Sequence, residues 1–162
     1  ATGIFGIGRK IPMNRVNDLG QREGYWRDSV GGGFVYDLYY KGGKKDGLYK
    51  RFYRNKLFLF GEYTADNISG TWYMFGDEGE LRCTIDSIEL NKDSIYTGYC
   101  RIFCKYKCHS IDYYPSGAVK SEGYMVCDEE FEIEIWEIGE WKYYDESGNL
   151  IKTKDYGDRR TP

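Results

Sequence analysis

GEWKYYDESGNLIKTKDYG, from Gly139 to Gly157, sets a glycine, a tryptophan, paired tyrosines, a turn and a leucine in one phrase. GTWYMFGDEGEL, from Gly70 to Leu81, nearly repeats it. Aligned on their leading glycines, Gly24, Gly47, Gly70, Gly98 and Gly139 open similar segments. Two places on stand Trp26, Tyr49, Trp72, Cys100 and Trp141, and five places on stand Ser29, Phe52, Phe75, Phe103 and Tyr144. Gly24 to Gly47 is 23 residues, and so is Gly47 to Gly70. Gly70 to Gly139 is 69, three times 23, with Gly98 off that grid. A fixed period of about 20 to 50 residues marks a stacked array.

Each unit reads as a β-hairpin. A strand rich in aromatics follows the leading glycine, and aromatic rings pack well on a pleated sheet. A turn follows at DEGE, PSGA or ESGN, where glycine takes a positive φ without steric cost. A second strand returns, and a polar link such as KGGKKDG opens the next unit. No segment shows capped 3.6-residue periodicity, so no helix is expected. A lone hairpin is marginal in water, so about six of them must pair edge to edge. The expected fold is all-β: an array of hairpin repeats forming an elongated, twisted antiparallel sheet. Residues 1–23 read as an N-terminal arm or edge strand, 24–157 as the repeat domain and 158–162 as a tail.

The phrase resembles the MORN-like repeat family known from YwqK-type antitoxin proteins. The likeness is best at YYPSGAVKSEGY (Tyr113–Tyr124) and at Gly139–Gly157, and fair at GLYKRFY…GEY…GTWYMF. It covers roughly Gly24 to Gly157. The second unit departs, with RNKLF where the turn glycine belongs, and residues 82–112 keep only fragments. MVCDEEFEIEIWEI inserts about eight residues before Gly139. The resemblance implies a hairpin array acting in protein binding, with Trp26, Tyr49, Phe52, Trp72, Phe75, Phe103, Trp141 and Tyr144 as repeat-core aromatics.

Charge is unevenly spread. Residues 1–60 hold 12 Lys/Arg and 5 Asp/Glu, a balance of +7, while residues 61–162 hold 11 and 21, a balance of −10. The acidic half concentrates Asp128, Glu129, Glu130, Glu132, Glu134, Glu137 and Glu140 in thirteen residues. Phe131, Ile133 and Ile135 alternate with some of these carboxylates, which argues for a strand with one acidic face. Its functional reading is an acidic strip for a basic partner, and its structural reading is a solvated strand face. Lys41, Lys44, Lys45, Lys50, Arg51, Arg54 and Lys56 interleave with Tyr49, Phe52 and Tyr53, a pattern that can hold single-stranded nucleic acid. The acidic whole, with a pI near 5.3, argues against that use.

Catalytic and metal-binding patterns are thin. His109 is the only histidine, and its neighbour Cys108 points the other way on a strand. Cys100, Cys104 and Cys108 share one strand face about 13 Å apart, too far for one ion or for a disulfide. With Cys83 and Cys127 they make five, an odd count that favours buried free thiols. GIFGIG and GGG lack the phosphate-loop pattern.

The expectation for function is a non-enzymatic protein-binding module, an antitoxin- or immunity-like cover for a basic toxin, without cofactor or metal. Nucleic-acid binding and membrane insertion are not expected, since no apolar run reaches the roughly 20 residues of a spanning helix. The alternative is a structural or envelope-associated scaffold that self-associates through sheet edges. A carboxylate-based hydrolase comes third. The cytoplasm is the expected location, with export after loss of a signal peptide as the alternative.

Overall fold

The computed structural model describes residues 12–96, 101–128 and 135–158, and among these there is no helix. The strands are β1 (Arg15–Val16), β2 (Arg22–Ser29), β3 (Phe34–Lys41), β4 (Lys44–Tyr53), β5 (Lys56–Thr64), β6 (Asn67–Phe75), β7 (Leu81–Leu90), β8 (Ser94–Tyr96), β9 (Arg101–Phe103), β10 (Tyr106–Tyr113), β11 (Val119–Cys127), β12 (Ile135–Tyr144) and β13 (Leu150–Asp155). Eleven of them form one open antiparallel sheet in chain order, with β10 next to β7, while β8 and β9 pair separately. The hairpin array expected from the period therefore forms. Within the segment read as arm or edge strand, β1 is an edge strand lying against β2.

Two kinds of turn recur. The turns between β6 and β7, β10 and β11, and β12 and β13 share one wiring. Gly79, Gly117 and Gly148 donate to the carbonyls of Gly76, Tyr114 and Asp145. Two of the links between hairpins, Gly42–Gly43 and Ala65–Asp66, are tight two-residue turns with both φ values positive. The unit that lacks its turn glycine uses the same solution at Arg54–Asn55, with φ of 47° and 65°.

The leading glycines bend the strands. Gly70 and Gly139 have φ of 66° and 62°, a region that side chains rarely enter. On β5, Phe60 pairs with Tyr73 and Glu62 with Ser69, so Gly61 alone faces the bulged stretch Gly70–Thr71–Trp72. On β11, Gly123 faces Gly139–Glu140–Trp141 in the same way. Each bulge lays its indole over a glycine of the preceding strand. A Cβ added at Gly61 would stand 2.1 Å from the Trp72 ring, and one at Gly123 would stand 2.5 Å from Trp141. Each indole N–H is also used: Trp72 donates to the Ser69 carbonyl at 3.1 Å and Trp141 to that of Tyr124 at 2.8 Å. This explains the order of the phrase, in which a bending glycine is followed by a ring that needs a bare strand beneath it.

The 69-residue spacing has a different origin from three equal repeats. Tyr49 pairs with Gly61, and Ser110 pairs with Gly123. Ser110, rather than Cys100, therefore holds the place of Tyr49 in its unit. Trp72 to Ser110 is 38 residues, 15 more than 23, and Ser110 to Trp141 is 31, eight more. The two excesses sum to 23 and imitate a missing repeat. The first carries the β8–β9 hairpin, and the second lies between β11 and β12.

One face of the sheet carries the main core. It runs from Trp26, Leu38 and Tyr40 through Tyr49, Tyr63 and Trp72 to Ile85, Cys108, Met125 and Trp141. Substantial strand contacts join only neighbours in the sheet order. The aromatic rings thus roof a single layer, with Tyr36, Tyr49, Tyr63 and Trp72 packed ring on ring across β3 to β6. On the opposite face Ile95, Cys104 and Val126 form a small second cluster with Trp136 and Ile138, which seats the β8–β9 hairpin.

Candidate functional site

The core face differs between its two halves. Over Gly61, the rings of Tyr49 and Trp72 meet with centroids 5.5 Å apart, although their strands flank β5 rather than each other. Tyr63 closes edge-on against both, at 5.6 and 5.3 Å. Trp72 is 0% exposed as a result. Over Gly123 there is no second ring, because Ser110 occupies the equivalent place. Two cavities of about 360 and 350 Å³ open there, sharing Met74, Cys83, Asp112 and Lys120 as lining. The larger is bounded by Trp141 and Tyr143 on β12 and by Met74 and Ile85 on the other side.

Its floor is polar. Ser121 donates to Asp112 Oδ2 at 2.8 Å, and Ser110 Oγ lies 3.3 Å from Cys83 Sγ. Ser110 and Ser121 are both buried. Glu137 pairs across the strands with Met125, which places it on the core face, and it lines the larger cavity. The carboxylates leave an electrostatic trace. Burial pushes the Cys83 thiol up to about 12, with Asp112 adding to the rise against a hydrogen bond from Ser110. Burial pushes Tyr143 up to about 12 as well, helped by its hydrogen bond to Tyr156 and by the charges of Glu137 and Asp112. Two ammonium groups lie nearby: Lys120, 6.0 Å over the Tyr114 ring, and Lys152, 4.6 Å over the Tyr143 ring.

The residues singled out in the sequence fall in several places. Tyr49, Trp72 and Trp141 lie in the core layer, and Trp26 packs against it. Phe52, Phe75 and Tyr144 are half-buried. Tyr144 donates to Glu122 at 2.6 Å on the opposite face. Phe103 lies in β9. Of the acidic strip, Glu129, Glu130, Glu132 and Glu134 lie outside the described residues. Asp128 follows the end of β11, and Glu137 and Glu140 turn to opposite faces, Glu140 across from Asp155. The basic stretch is also divided. Arg51 is buried in a box of Phe34, Tyr36 and Phe58, and Lys45 lies over Tyr63.

Cys83, Cys104, Cys108 and Cys127 are free and buried. Cys104 does not share a face with Cys108 as the alternation predicts, because the chain leaves strand geometry at 104–105 and Cys104 joins the second cluster. Cys108 instead meets Cys127 of β11, with sulfurs 3.6 Å apart. That contact and burial raise the Cys127 thiol. His109 faces away from Cys108, with Nδ1 3.5 Å from Asp86 and its ring against Tyr124. Among the described residues no group of three or more His, Cys, Asp or Glu is placed to hold a metal. Compared with known proteins, the chain matches no family model, no curated protein and no solved structure.

The Asp112–Glu137 cavity was missed in the sequence. Asp112 and Glu137 are 25 residues apart, and only the pairing of β10, β11 and β12 sets them at the two ends of one cavity. The one available signal was a serine where the repeat carries an aromatic ring.

Proposed function

We propose that the chain is a non-enzymatic protein-binding module that covers a basic partner, as an antitoxin- or immunity-like protein of MORN-like character would. The observation that carries this reading is the cavity on the core face, where an aromatic wall meets Asp112 and Glu137. An open sheet offers a broad surface to another protein, and carboxylates on it favour a cationic one. The test is capture of partners by the tagged full chain at low and high salt, read by mass spectrometry, beside the Asp112→Asn and Glu137→Gln variants. One stoichiometric basic protein, released by salt and weakened by both variants, supports the reading. Recovery of the chain alone moves it to the second reading.

That second reading, a self-associating scaffold, draws on β13. Its six residues are all exposed, including Leu150 and Ile151, and it ends the sheet without a covering strand among the described residues. Lys152 and Lys154 on this strand are the kind of charge that discourages edge pairing, which favours the first reading.

A further inference from the structure

The binding reading above leaves open which side chain the core face grips, and the repeat itself supplies the shape. Resting on that reading, we propose that the larger cavity seats one tyrosine side chain presented by the partner protein, its ring against Trp141 over Gly123 as Tyr49 lies against Trp72 over Gly61. Tyr49 pairs with Leu38 and Gly61, while Ser110 pairs with Ile85 and Gly123. From this register each neighbour of the Tyr49 ring has a counterpart. Tyr36, Tyr63 and Trp72, with centroids 5.9, 5.6 and 5.5 Å from it, correspond to Cys83, Met125 and Trp141. Leu38, across from Tyr49, corresponds to Ile85. All four counterparts line the larger cavity, and so does Ser110. The cavity thus has the walls of a ring seat, with a hydroxymethyl group where Tyr49 would carry its ring. Its volume, about 360 Å³, lies at the small end of ligand pockets, the scale of one side chain rather than a helix. The polarity of the lining favours a phenol. Register sets Asp112 where Arg51 stands in the filled unit, and Ser121 where Leu59 stands. Asp112 and Glu137 lie toward the two ends of the cavity, so each end holds a carboxylate acceptor for a buried tyrosine hydroxyl. Lys120 and Arg82 line the adjoining cavity beside Asp112 and offset the two carboxylates. The cavity itself therefore suits a neutral ring, whatever the charge of the protein that carries it.

The test uses N-acetyl-tyrosine amide as the probe, titrated into the full chain and followed by the indole N–H resonance of Trp141. N-acetyl-phenylalanine amide and N-acetyl-leucine amide serve as comparisons. The expected result is a saturable shift at Trp141 with the Trp26 indole unmoved. Phenylalanine should bind about tenfold more weakly, the scale of losing a hydrogen bond to a charged group, and leucine should not saturate. Ser110→Tyr supplies the ring from the chain itself. It should melt no lower than the unaltered protein and abolish the probe's shift, whereas Ser110→Ala, which leaves the opening, should keep the shift. A ring forced into a filled core would instead lower the melting temperature by several degrees. Such a fall in Ser110→Tyr, a shift that does not saturate, leucine or phenylalanine binding as well as tyrosine, or an undiminished shift in Ser110→Tyr would overturn the proposal. If Ser110→Tyr still captures a basic protein in a salt-sensitive way, the tyrosine seat falls and the protein-binding reading stands. Capture lost in Ser110→Tyr and kept in Ser110→Ala supports both.

Discussion

Gly61 and Gly123 are the same position in two repeats, and the two neighbourhoods have opposite finishes. Around Gly61, Tyr49, Tyr63 and Trp72 close over the bare strand and leave Trp72 with no exposure. Over Gly123 the Trp141 ring meets no counterpart of Tyr49, because Ser110 stands there, and a cavity lined by Asp112 and Glu137 remains. The repeat framework is thus kept while one of its rings is given up. A vacancy in an otherwise filled series is a more specific pointer to a binding site than any single motif in this chain.

The largest effect should come from emptying the filled region. Trp72→Ala is expected to cost about 3–5 kcal/mol in urea melts, the range for a large buried aromatic, and Trp141→Ala less, because Trp141 already borders open space. Equal losses would erase the distinction between the two regions. Tyr49→Ser should carve at Gly61 the opening that Ser110 leaves at Gly123, at a cost of about 3 kcal/mol.

Next come the two glycines. Gly61→Ala forces a Cβ into Trp72, and overpacking of this kind costs about 1–3 kcal/mol. Gly123→Ala meets Trp141 almost as closely, yet the indole can yield toward the cavity, so a smaller loss is expected. If Gly123→Ala is the worse of the two in thermal melts, the cavity is not free to absorb the ring.

The mildest test is alkaline pH. Cys83, ordinarily near 9.0, and Tyr143, ordinarily near 10.0, are both raised to about 12 in the folded chain. For such acids the unfolded state loses its proton first. Their contribution is therefore complete below the ordinary value and drains away as pH rises toward 12. Tyr25, raised to about 12 chiefly by burial, adds to the fall above pH 10. The melting temperature should decline from pH 9, and Cys83→Ala should flatten the part between pH 9 and 10. An unchanged profile in Cys83→Ala would mean that this thiol does not meet water only on unfolding.

The sequence and the structure agree where the determinants are local. The leading glycines, the turn glycines and the G-x-W spacing each act within a few residues, so their period was visible. The period failed where insertions of 15 and eight residues summed to one repeat and lent Cys100 the place that belongs to Ser110. The meeting of Cys108 with Cys127, and the placing of Asp112 and Glu137 around one cavity, depend on cross-strand register that bulges reset at several points, and alternation alone cannot carry a residue count through a bulge. Ser87 shows the limit well. It takes a positive φ of 52° in β7, near the irregular pairing of β7 with β10, where the other bulges noted here use glycine, and nothing in its side chain announces it.

The neighbour-only contacts of the sheet also set its response to force. β1 and β13 lie at opposite edges, so tension applied through them runs across the strands and loads the ladder one hydrogen bond after another. Such a sheet peels rather than shears. Pulled at constant speed, it should release a series of strand-sized lengths at low force, and the step that frees β6 from β5 should stand highest, because it lifts the Trp72 ring off Gly61 and out from between Tyr49 and Tyr63.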